Sequence, residues 1–237
     1  MSLNITGILI DSKPNFEIDF KLKKFEISKI ENLSPKKLSI TFINNTTLIL
    51  QDNILFKNVN EEKELTFLEK DVVELFPENN IWIFVLNDTI DFWGFSRIQE
   101  GQKRRSKFVG QGRPFLDYGN LHSVEQKLYE DYSKILLSDP NIKEVFNKNF
   151  GNLDEIERKK KFLMFKDLLQ EKSNISNDFP YLSGKMESYY MEMVLETVTK
   201  KRIIDLLEME FIIFNKSKFN FETESLNDYL LTAWKNF

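Results

Sequence analysis

Four of the six arginines, Arg97, Arg104, Arg105 and Arg113, fall within 17 residues of a chain that otherwise takes lysine for its positive charge. A guanidinium offers a rigid planar fork of donors that an ammonium cannot mimic, so this local choice points to carboxylate or phosphate recognition, or to stacking on Trp93 and Phe95. Gly94, Gly101, Gly110, Gly112 and Gly119 share the neighbourhood. Without a Cβ they let backbone N–H groups approach a ligand or let the chain turn at positive φ. His122, the single histidine, follows directly. The candidate ligand- or partner-binding residues are therefore Trp93, Phe95, Arg97, Arg104, Arg105, Arg113 and His122, with no catalytic residue and no metal ligand assigned.

A plainer origin for the same composition is a twisted hairpin, whose turns require glycine and whose exposed edge is defended by basic residues against further strand pairing. Alternation places Trp93, Phe95 and Arg97 on one strand face. Such a face serves equally as a binding surface or as cation–π packing.

Other chemistry is sparse. The chain has no cysteine, which removes disulfides, thiolate metal sites and cysteine nucleophiles. One histidine leaves carboxylates and carbonyls as metal donors, a set that suits Mg²⁺ or Ca²⁺ better than Zn²⁺. No GxxxxGK[ST], GxGxxG, HExxH or GxSxG motif occurs. A triad through His122 would have to use Ser123, which reads better as a helix cap. Glu192 and Glu196 share a helix face, but Lys200 follows one turn on, as in a solvated charge stripe. Arg158 to Lys161 likewise covers every side of a helix.

The elements that must hold these residues follow from hydrophobic period. Alternation at Phe16, Ile18, Phe20 and Leu22 predicts a strand, resuming at Phe25 and Ile27 after a bend at Lys23-Lys24. Leu38, Ile40 and Phe42, then Leu48 and Leu50, predict a hairpin around Asn44-Asn45. Asn60 is placed to cap a helix carrying Leu65, Leu68, Val72 and Leu75, ended by Pro77. Strands follow at 81–86, 89–99 and 103–109, with a turn at Glu100-Gly101.

Beyond Gly119 the period becomes helical, with a capping box at Ser123 and Gln126 and further amphipathic runs at 154–172, 184–201 and 225–236. Asp139-Pro140 opens another helix, for which Gly151 suits the stop. Residues 203–214 are apolar on nearly all sides, and periodicity does not choose between helix and strand there. The expected fold is α+β: an N-terminal antiparallel β region of hairpins plus one helix over 1–120, then a mostly α-helical C-terminal region over 121–237. These are separate domains or one continuous core.

A chain of 237 residues with 22 phenylalanines can bury a large core without a metal or disulfide staple. The formal charge of −4 gives no basic field of the kind nucleic acid demands. With no basic leader and no apolar run near the ~20 residues of a membrane span, a cytoplasmic location is expected. The leading expectation is a non-catalytic intracellular interaction protein, of immunity or inhibitor type, that contacts a protein partner through the hairpin and glycine-rich loop from Trp93 to His122. The alternative is an enzyme or sensor that binds a phosphorylated or other anionic small molecule at the arginine cluster. A nucleic-acid-binding module ranks third, and neither a cofactor nor a membrane partner is expected.

Overall fold

The structure, a computed structural model, describes residues 4–14, 23–30, 36–51, 64–87, 89, 92–110, 113–127, 143–144, 147–148, 151–158, 186–216, 219 and 225–236. Two compact units emerge: residues 1–120 together with 191–237, and residues 121–190.

The first unit is built on one nine-stranded antiparallel sheet. Its strands are β1 (Asn4–Ile10), β2 (Glu26–Lys29), β3 (Lys37–Ile43), β4 (Thr46–Leu50), β5 (Ile81–Asn87), β6 (Phe92–Gln99), β7 (Gln102–Gly110), β8 (Arg113–Gly119) and β9 (Glu210–Asn215). Their order across the sheet is β2-β9-β3-β4-β1-β5-β6-β7-β8. The asparagine hairpin forms as the alternation predicts, with Ile43 opposite Thr46 and Asn44 at φ 54, a value asparagine tolerates better than most residues. The β6–β7 turn likewise falls at Glu100 (φ 52) and Gly101 (φ 66). Residues 113–119, expected as part of a glycine-rich loop, instead form β8.

The expectation of a mostly helical C-terminal region is overturned by β9. Glu210–Asn215 inserts between β2 and β3, pairing Ile212 with both Ile27 and Ile40. Its centre, Phe211, Ile212, Ile213 and Phe214, is buried on both faces, so the alternation that marks a half-exposed strand is erased. The apolar stretch is thus divided. Ile203–Leu207 forms the short helix α3, which leaves Ile204 exposed, and the β-branched and aromatic remainder enters the sheet. The expected strand at 16–22 and the helix opening at Asp139-Pro140 lie outside the described residues.

Helices cover both faces of the sheet. On one face, Leu68, Val72 and Leu75 of α1 (Phe67–Leu75) and Leu226, Tyr229 and Leu230 of α4 (Leu226–Asn236) close over Ile8, Ile10, Ile40, Ile83, Ile98 and Phe214. On the other, Leu195 of α2 (Met186–Thr199) and Leu206 of α3 meet Ile5, Leu48, Leu50 and Phe84. The end of α2 is tied to the β3–β4 turn, because Asn44 donates to the Thr199 carbonyl at 3.1 Å and Thr46 to that of Val198 at 3.4 Å.

Asn60 is not the cap of α1. Thr66 accepts from the Glu69 N–H at 3.3 Å, and the Glu69 carboxylate accepts from the Thr66 N–H at 2.7 Å, a complete capping box six residues later than expected. Leu65 therefore precedes the helix rather than lying on its buried stripe. Removing the hydroxyl in Thr66→Ala should lower unfolding free energy by about 0.5–2 kcal/mol in urea titrations. Thr66→Ser, which keeps the acceptor, should recover most of it.

In the second unit, the helical turn at 123–127 starts one residue earlier than the Ser123 box predicts. His122 donates its backbone N–H to the Glu125 carboxylate at 3.3 Å, and its carbonyl accepts from Gln126 at 2.8 Å.

Candidate functional site

The hairpin β6–β7 and its neighbour β8 carry most of the candidate residues, and register decides which way each one faces. Phe84 pairs with Phe95, Leu86 with Trp93, and Trp82 with Arg97. Across the next boundary Arg97 lies opposite Arg105, and Lys107 opposite Asp117. Trp93, Phe95, Arg97, Arg105, Lys107 and Asp117 consequently share the face that bears Phe84.

That face is interior at its aromatic end. Trp93 and Phe95 are each 1% exposed, so they build core rather than a surface contact. Arg105 is fully buried with its guanidinium 5.9 Å from the Phe95 ring centroid. Its Nη1 donates to the Asp117 carboxylate, to the Ser106 carbonyl at 3.0 Å and to the Tyr118 carbonyl at 2.8 Å. A buried guanidinium needs such partners, because an uncompensated charge would have to leave water for nothing.

Arg97 is committed elsewhere. Its Nε and Nη2 donate to the Asn80 side-chain oxygen at 3.3 and 3.1 Å, and Nη2 also reaches Gln99. Asn80 in turn is held by Asp11 at 2.8 Å, which ties the ends of β1, β5 and β6 together. Arg104 sits on the exposed side of the hairpin end and pairs with Glu100 at 3.2 Å.

Arg113 starts β8 opposite Gly110, whereas Gly119 at the other end of β8 lies opposite Arg105. Six residues of strand, about 20 Å, separate those two positions. The four arginines thus do not meet at one point. His122 belongs to the second unit, where its ring meets Tyr190 edge-on at 6.2 Å.

Of these charges, Arg104 is in water and Arg105 is not, so neutralising them should have unequal effects. Arg104→Gln should change unfolding free energy by no more than about 0.5 kcal/mol, the ordinary scale for an exposed position. Arg105→Gln should lose roughly 2–3 kcal/mol by leaving buried acceptors without donors. Denaturant midpoints of the two purified variants read this directly.

Two of the neighbourhood glycines, Gly94 and Gly119, have local uses. A Cβ on Gly94 would stand 2.2 Å from Phe108 Cδ1, so the bare backbone there makes room for a ring. Gly119 is at φ 88, and a Cβ on it would stand 2.0 Å from the Arg104 carbonyl oxygen.

Two features of this region were invisible to motif reading. One is the pair of Lys103 and Glu69, whose side chains are 1% and 2% exposed and 2.9 Å apart. Lys103 also donates to the Glu64 carbonyl at 3.1 Å. The turn of β6–β7 is thereby fastened to the capping box of α1. The other is a buried hydroxyl chain in which Ser96 and Ser106 lie 2.6 Å apart and Ser106 donates to the Tyr118 oxygen at 3.3 Å.

Burial holds the Tyr118 phenol above its ordinary value of 10.0. The Ser106 hydrogen bond opposes this, the Glu69 charge adds to it and the Arg105 charge works against it. The neutral phenol's contribution to stability is therefore present below the ordinary value and lost as pH rises through the folded one.

Between the hairpin turn and α1 lies an open groove of about 440 Å³ lined by Glu64, Leu65, Lys70, Gly101, Gln102 and Lys103. At the start of α1 the Lys70 ammonium stands 5.8 Å from the ring centroid of Phe67, which is 66% exposed. Glu100, Gln102 and Arg104 are exposed at the turn.

Among the described residues, no group of three or more His, Asp or Glu side chains is placed to hold a metal ion. No described helix is long and apolar enough to cross a membrane. Compared with known proteins, the chain matches no family model, no curated protein and no solved structure.

Proposed function

We propose that this chain is a non-catalytic binding protein, of the immunity or inhibitor type, which engages a protein partner at the turn of the β6–β7 hairpin and the adjoining start of α1. The supporting observation is the division of labour along the hairpin. Trp93, Phe95 and Arg105 are spent inside the first unit, while Glu100, Gln102 and Arg104 are exposed at the hairpin turn and Phe67 and Lys70 at the start of α1, with Gln102 and Lys70 lining the groove itself.

A mixed aromatic, apolar and charged rim suits a protein surface, where exposed aromatics and arginine supply most of the binding energy. The buried Lys103–Glu69 pair beneath fixes the two walls, so little ordering is left to be done on association. The proposed contact therefore lies at the hairpin's outward end rather than on the inward face of β6.

Charge reversal tests this. In the double variant Lys70→Glu, Arg104→Glu both changes are at exposed positions, so the melting temperature should move by only a few degrees. Proteins that copurify with the tagged original from its native cells should be reduced at least tenfold, the effect of removing about 1.4 kcal/mol of binding energy. Undiminished copurification of the same proteins would remove the contact from this surface.

A further inference from the structure

We draw no further inference here: the strongest candidate, the exposed apolar flank of Phe25 and Ile27 at the β2 edge of the sheet, carries nothing because nothing in the structure shows what covers it.

Discussion

Lys103→Met is expected to lower the unfolding free energy by about 3–5 kcal/mol, the scale on which breaking one side of a buried ion pair acts. The methionine keeps most of the lysine stem and removes the ammonium. Glu69, 2% exposed, is then left with its carboxylate inside the protein and, among the described residues, only the Thr66 N–H to answer it. The Glu64 carbonyl loses its donor as well.

The loss should be largely reversed in Lys103→Met, Glu69→Gln, because the amide is neutral and its oxygen still accepts from Thr66. The comparison separates burial of a lone charge from loss of packing, since a cavity effect would persist in the double variant. Equilibrium urea unfolding of the three proteins at one pH provides the numbers. A single variant within about 1 kcal/mol of the original would mean that the pair is solvated.

The second large effect is expected at Gly119, whose replacement by alanine should lower stability by roughly 2–5 kcal/mol. Left-handed backbone contributes about 1–2 kcal/mol of this, and overpacking about 1–3. The clash is with backbone: the added methyl would meet the Arg104 carbonyl oxygen at 2.0 Å and the Arg105 Cα at 2.9 Å. Strands β7 and β8 would have to part where Arg105 and Gly119 pair, close to the Arg105–Asp117 contact.

Gly101→Ala supplies the control. That residue is also at positive φ, but the nearest atom to its added methyl is Val73 Cγ1 at 3.4 Å, an ordinary approach. It should cost about 1 kcal/mol, the backbone share alone. Equal losses at both positions would show that steric crowding at Gly119 has been overestimated.

Much of the sheet is legible in the sequence because strand period and turn chemistry are local. Leu38 to Leu50 announces its own hairpin, and Glu100-Gly101 its own turn. The place of β9 is not local. Which strand receives Phe211 to Phe214 depends on Leu38 and Ile40, some 170 residues away, and a strand buried on both faces loses the alternation that would mark it.

The arrangement of the candidate residues is hidden for a related reason. Alternation correctly assigns Trp93, Phe95 and Arg97 to one face, yet it cannot say that the aromatic part of this face is interior. The arginine-rich stretch is conspicuous by composition, but it divides in the fold: Arg97 and Arg105 are a cross-strand pair on one face, Arg104 pairs with Glu100 in water, and Arg113 starts β8 at its far end. The cation that organises the hairpin end is Lys103, one lysine among many, and its partner Glu69 lies 34 positions earlier in another element. Only the Thr66-x-x-Glu69 capping pattern offered a local signal for that end of the site.

The central claim, that the hairpin's outward end is the contact surface, is tested most directly by photocrosslinking from single positions. A benzophenone amino acid is placed at exposed Gln102, or at exposed Glu208 in the turn before β9 as a control, and the cells that naturally make the protein are irradiated. The account predicts a discrete adduct from position 102 that disappears when Arg104→Glu is added, and no such adduct from position 208. The same adduct from position 208 but none from position 102, or one from position 102 that is indifferent to Arg104→Glu, would contradict it.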